Sequence, residues 1–384
     1  MAHCESTLSS DAGEPWKPLA PSLNLDNPPQ KTARQQALVG TPTAPNMDAL
    51  PPTPSMHYAT FTTTDNTPLA FQSSIHLSTT TTTTSAPPNN ANNPFATCIL
   101  LLHGFSGSSA YFTHNTPSLS ARHWVLAPDM RGHGRSGHNP SRGGFHVARL
   151  AADLRELLLH VTTRLLPTET TTSFVPVGCS IGAAVVWTYL ELFGDPEGWF
   201  AGYVFVDQAP VQDRDLLGLG GAWGPEQAHR GCFDEGSLLA AQRAWVSGGR
   251  GVYEGLVEEC LGYRFRPEEG GPVAGDARWE RDEEFFVRIS EACDGVWLAR
   301  LMADHTRYDH REACEAIGKP VLVLAARKSG CFSLEGMEET ARRVKKGGNG
   351  DAEMVVFEGG HWLFYEEPER FNREVLKFVE RCTT

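Results

Sequence analysis

Apolar residues follow two rhythms along this chain. Ala96–Leu102 is an apolar run ending at His103-Gly104, and Trp124–Ala127, Phe174–Val177, Tyr203–Val206, Val321–Ala325 and Met354–Phe357 are shorter runs of the same kind. Short apolar runs between turn-forming residues read as strands buried on both faces. Between them, Val147–Leu166, Ala183–Phe193 and Leu363–Glu380 place apolar residues every third or fourth position, the period of a helix with one buried face. Tyr58–Phe61 and Pro68–Phe71 flank Asp65-Asn66 and predict a β-hairpin. Strands separated by helices predict an α/β fold: a mostly parallel, twisted sheet with helices on both faces.

The pattern fails in three places. Residues 1–55 are rich in Pro, Ser, Thr and Asn without a sustained apolar period, the composition of a disordered tail, so the folded domain is expected over residues 56–384. Residues 78–94 hold six consecutive threonines followed by Pro and Asn, the composition of a surface loop. The interval between the strands ending at Val206 and starting at Val321 is too long for one crossover helix. Its helical pieces, Ser237–Val246 and Glu283–Leu301, predict an inserted helical cap over about residues 211–301.

Composition narrows the partners. A net charge of −13 opposes a nucleic-acid surface, which needs clustered Lys and Arg. The short clusters Arg342-Arg343 and Lys345-Lys346 read as a solvated helix end before Gly347-Gly348. The nine cysteines include no Cys-x-x-Cys pair, and no metal site is expected from their spacing. With no secretory pattern near Met1 and no apolar run of membrane-spanning length, a cytoplasmic protein acting on a small molecule is expected, with no membrane partner and no cofactor.

The candidate chemistry lies at the ends of the predicted strands. Gly178-Cys179-Ser180-Ile181-Gly182 follows one strand and opens a helix, placing Ser180 on a tight strand-to-helix turn. Serine is a weak nucleophile at neutral pH and needs a neighbouring base. Gly360-His361 follows the last strand. Two further motifs, His103-Gly104-Phe105 and Asp129-Met130-Arg131-Gly132-His133-Gly134, follow earlier strands.

In this order the motifs resemble the α/β-hydrolase fold superfamily, in its serine-nucleophile, esterase or haloperoxidase-like branch, over about residues 56–381. The resemblance implies that Ser180 is the nucleophile of a nucleophile elbow and His361 the base. It also implies that the backbone N–H groups of Phe105 and Ile181 form the oxyanion hole. His103 and His133 are expected to hold loops, Asp129 to cap one, and Cys179 to be buried. Many members carry the triad acid after the penultimate strand, where this chain has Arg327-Lys328-Ser329-Gly330-Cys331-Phe332 and no carboxylate. Asp207, after the strand ending at Val206, is the expected acid, with Glu335 and Asp304 as weaker candidates.

The resemblance implies that epoxide hydrolases and haloalkane dehalogenases carry an aspartate at the elbow, which disfavours their reactions here. Ester hydrolysis through an acyl-enzyme is the leading expectation. Perhydrolysis, carbon–carbon bond hydrolysis and an inactive ligand-binding scaffold stand as alternatives. Aromatic residues of the insertion, among them Trp223, Trp245, Phe286 and Trp297, suggest a hydrophobic substrate. Lys328–Phe332 and the tail composition resemble hydrolases of fungal secondary metabolism.

Overall fold

The predicted hairpin opens the sheet: β1 (His57–Thr62) pairs antiparallel with β2 (Pro68–Ser73), around a turn in which Asn66 takes a positive φ. In this computed structural model the described residues are 55–77, 93–139, 143–167, 170–215, 217–218, 231–269, 271–349 and 351–383. The chain divides into Met1–Ala49 and Leu50–Thr384, and every described residue belongs to the second unit. All of the expected tail but Ser55, nearly all of the threonine-rich loop and Trp223 lie outside the described residues.

From β2 the chain builds β3 (Thr97–Leu102), α1 (Thr116–Ser120), β4 (Trp124–Pro128), α2 (Val147–His160), β5 (Ser173–Cys179), α3 (Ile181–Phe193) and β6 (Tyr203–Val206). Five helices follow: α4 (Glu235–Ser247), α5 (Arg250–Cys260), α6 (Gly262–Phe265), α7 (Ala277–Glu291) and α8 (Gly295–Thr306). The chain then returns through α9 (Arg311–Glu315), β7 (Val321–Ala326), α10 (Leu334–Lys346), β8 (Ala352–Phe357), α11 (Leu363–Glu366) and α12 (Pro368–Thr383). The sheet runs in the order β1-β2-β4-β3-β5-β6-β7-β8 and is parallel from β4 onward.

Side chains alternate across a strand, so each central strand feeds two cores. Cys98, Leu100 and Leu102 pack with Leu150 and Leu154 of α2 and Val185 of α3. Ile99 and Leu101 point the other way, into a cluster with Leu119 of α1 and Val375 and Val379 of α12. With both faces covered, β3, β4, β6 and β7 are buried at every position, which is why they read as continuous apolar runs.

Three predicted helices are shorter than their patterns, each for a local reason. Val147–Leu166 is α-helical only to His160. Beyond it the hydroxyls of Thr162 and Thr163 donate back to the carbonyls of Leu158 and Leu159 at 2.8 and 2.7 Å, in a π-helical turn. Glu283–Leu301 is two helices, because the Asp294 side chain accepts from Val296 N and Trp297 N and starts α8 afresh. Leu363–Glu380 breaks before Pro368, since a proline disfavours helical backbone in the residue preceding it.

Candidate active site

Ser180 sits at φ 53°, ψ −125° between the last residue of β5 and the first of α3. The flanking glycines serve another purpose than the turn itself, because neither of them adopts a positive φ. A Cβ on Gly178 would lie 2.6 Å from Ala183 N, and one on Gly182 would lie 2.6 Å from Leu102 O. They let helix α3 press against β5 and β3, and the serine itself takes the left-handed strain.

Among the described residues four non-glycines have positive φ: Asn66, Ser106, Ser180 and Asp207. The last three lie just beyond β3, β5 and β6, at the carboxyl-terminal edge of the sheet. Backbone strain persists only where surrounding structure over-determines it, and it clusters at functional sites. Ser180 N donates to Val206 O at 2.9 Å and Asp207 N to Leu324 O at 2.8 Å, so ladder bonds lock both turns.

His361 follows β8. Its Nδ1–H donates to Asp207 Oδ2 at 2.6 Å, and the other carboxylate oxygen accepts from Ala326 N at 2.9 Å. The side chains are 7% and 1% exposed, so the pair is held away from water. With Nδ1 protonated, the lone pair of His361 is on Nε2, the arrangement a general base requires. Of the other acids considered, Asp304 accepts from His146 Nδ1 and Val147 N, both at 2.8 Å, and caps α2. Glu335 lies in the first turn of α10.

The loop after β3 brings Phe105 to the same edge. Gly104 packs on the serine: a Cβ there would be 3.3 Å from Ser180 Cβ and 4.0 Å from Ser180 Oγ. Ile181 is the first residue of the thirteen-residue helix α3, where free N–H groups and the helix dipole favour negative charge. His103 holds this loop: Met130 N donates to its Nε2 at 2.9 Å and its Nδ1–H donates to Gly104 O at 2.8 Å. Burial lowers His103 to about 4 and, with His103 nearby, His133 to about 3. Both are neutral scaffold groups, as the motif reading expected. Asp129 accepts from Ser109 N at 2.7 Å and Arg135 N at 2.9 Å, and Cys179 is buried.

Helices α4 to α8 bring two of the aromatic residues singled out in the sequence, Trp245 and Phe286, to this edge, together with neighbours that the sequence did not announce. Trp245 meets Phe105 edge-on at 5.1 Å between ring centroids, and Phe286 stacks on Trp362 at 3.6 Å. Ser290 shares a hydrogen bond with Ser106 at 3.1 Å. Trp362 N donates to Cys260 O at 3.1 Å, and Gly262 touches Gly360 so closely that a Cβ on either would clash with backbone. The Glu259 side chain keeps contact with solvent but is crowded by protein, which pushes its carboxyl up to about 7, with His361 pulling it the other way.

A family model described as "Alpha/beta hydrolase family" matches residues 99–374. The chain is 36% identical over 327 residues to Epoxide hydrolase A of Mycobacterium tuberculosis (strain ATCC 25618 / H37Rv), spanning 75% of this chain and 92% of that protein. Solved structures with the same fold include an esterase from Exiguobacterium antarcticum, with TM-score 0.63, 16% identity and coverage of 84% of this chain and 98% of that one. A bromoperoxidase from Bacillus anthracis superimposes with TM-score 0.64 at 16% identity, over 85% of this chain and 100% of that one. The chain belongs to the alpha/beta hydrolase family and is an enzyme of the hydrolase class.

Proposed function

We propose that this hydrolase cleaves an ester-type bond of a small, hydrophobic substrate through an acyl-enzyme on Ser180. The observation that supports it is the buried Asp207–His361 pair at the sheet edge that also carries the strained Ser180 turn. His361 Nε2 takes the serine proton as Oγ attacks the carbonyl carbon. The N–H groups of Phe105 and Ile181 receive the oxyanion, His361 returns the proton to the leaving alcohol, and water then releases the acid. Helices α4 to α8 form a cap over this site, and its aromatic residues favour an apolar acyl group.

The name of the mycobacterial relative raises epoxide opening as a second reading. The elbow residue weighs against it. A carboxylate that opens an epoxide forms an ester, which water can hydrolyse, whereas a serine would form an alkyl ether and remain alkylated. A non-catalytic scaffold would rest on the acid missing after β7; the hydrogen bond from His361 Nδ1 to Asp207 at 2.6 Å weighs against it.

A fluorophosphonate probe is expected to label the wild type on Ser180 and to leave Ser180→Ala unlabelled, with short p-nitrophenyl esters turned over only by the wild type. Absence of labelling in folded wild type, or steady turnover of an aryl epoxide by Ser180→Ala, would overturn this reading.

A further inference from the structure

Cys260 ends α5 and Cys331 lies in the loop after β7, yet their sulfurs approach to 3.7 Å. One ligand atom from each of Cys260, Cys331 and His361 falls within 4.8 Å of the others. A tetrahedral zinc with sulfurs at about 2.3 Å holds two of them about 3.8 Å apart. The thiol pair is therefore already at the spacing of a metal's coordination edge.

The surroundings suit a cation. A metal-bound histidine usually donates its second ring N–H to a carboxylate, which fixes the ring, and Asp207 accepts from His361 Nδ1 in that manner. Asp207 and Glu259 both lie within electrostatic reach of the two thiols. A dication here would replace two thiol protons in the field of two carboxylates.

We infer that Cys260, Cys331 and His361 form a binding site for a thiophilic divalent cation of the zinc class, whose occupancy withdraws His361 from catalysis. The two sulfurs and the imidazole leave the fourth position to water. Binding then releases two protons to solvent and leaves both sulfurs as thiolates. If the metal takes Nε2, it takes the lone pair that would accept the serine proton. If it takes Nδ1, it displaces Asp207. Either way the base is lost, so the site acts as an inhibitory switch. The switch rests on the reading of His361 as the base; the metal site does not.

The test uses the reduced full-length chain. Cobalt(II) is expected to bind with one near-ultraviolet thiolate-to-cobalt charge-transfer band per chain, displaced by zinc and lost in Cys260→Ser and Cys331→Ser. X-ray absorption of zinc-loaded wild type, which needs no variant, should show two sulfurs at about 2.3 Å. Saturating zinc should lower ester turnover about 100-fold, with recovery on chelation, and this zinc-to-chelator ratio should collapse towards one in Cys331→Ser. A sulfur-free zinc shell, or a cobalt band undiminished in both variants, overturns the site. Full ester turnover in zinc-saturated protein overturns the switch. A cobalt band in a chain that no fluorophosphonate labels would leave the metal site standing and remove the serine-hydrolase reading instead.

Discussion

His361 donates its Nδ1–H to Asp207 at 2.6 Å, and His146 donates its own to Asp304 at 2.8 Å, so by local chemistry the two pairs are nearly alike. Their settings differ. In the first pair the histidine and carboxylate are 7% and 1% exposed; in the second they are 52% and 19% exposed. The second Asp207 oxygen is held by the backbone of β7, which anchors the histidine from the sheet. The second Asp304 oxygen takes the first N–H of α2, whose own preceding residue, His146, gives no side-chain cap. One pair is fixed where strained strand ends converge, and the other closes a helix end in partial contact with water. A histidine and a carboxylate acquire a chemical role from burial and neighbours, not from contact alone.

The largest test of that contrast is Asp207→Asn. It keeps a side-chain oxygen for Ala326 N but no longer dictates the His361 tautomer, and should lower kcat on a p-nitrophenyl ester about 10⁴-fold with unchanged melting. Asp304→Asn in the same assay should stay within about twofold of wild type. Comparable losses in the two variants would break the distinction.

Burial by itself does not make chemistry, and Arg131 sharpens that point. Its guanidinium is fully buried, bidentate to Asp153 at 2.6 and 2.7 Å, and bonded to Asp65 and Thr67, tying the β1–β2 turn to α2. Arg131→Met would leave Asp153 with Arg149 alone, which reaches only its Oδ1 at 2.7 and 2.9 Å, and should cost about 3 kcal/mol in denaturant unfolding. The kcat of the remaining folded enzyme should hold. A stable variant with lost turnover would move Arg131 into the site.

Acid should weaken the fold through two buried neutral histidines away from the site. Burial depresses His305 and His310 from 6.5 to about 3, and none of their ring nitrogens has a hydrogen-bond partner among the described residues. The unfolded chain therefore binds protons below pH 6.5 that the folded chain refuses. The stability they confer is complete above pH 6.5 and is lost as pH falls towards 3, by roughly 1 kcal/mol per histidine one unit below 6.5. Melting temperature against pH should show this slope, and the double variant His305→Leu, His310→Phe should flatten it. An unchanged slope would assign the acid limb elsewhere. The smallest effect is expected from Asp304→Ala, which removes the cap from α2 and should cost about 1 kcal/mol in thermal unfolding.

Much of the sheet was legible because its strands are buried on both faces and the code for that is local: an apolar run between turn residues. The Ser180 turn was legible for a related reason, since only glycine tolerates the close approach of α3 on either side of it. Chain order and a strand end single out Asp207, but its hydrogen bond with His361 is visible only in three dimensions. Other features had no local signal. Cys260, Cys331 and His361 are far apart in sequence, and nothing around Cys331 marks it as a neighbour of His361. The positive φ of Asp207 is locked by a neighbouring strand, while the Ser106–Ser290 bond, the seam between Gly262 and Gly360, and the stacking of Phe286 on Trp362 arise where the inserted helices meet strand ends. Local periodicity and turn chemistry thus determined the elements and their alternation. The packing of distant segments decided which polar groups would share a buried edge, because burial and pairing are properties of neighbours in space.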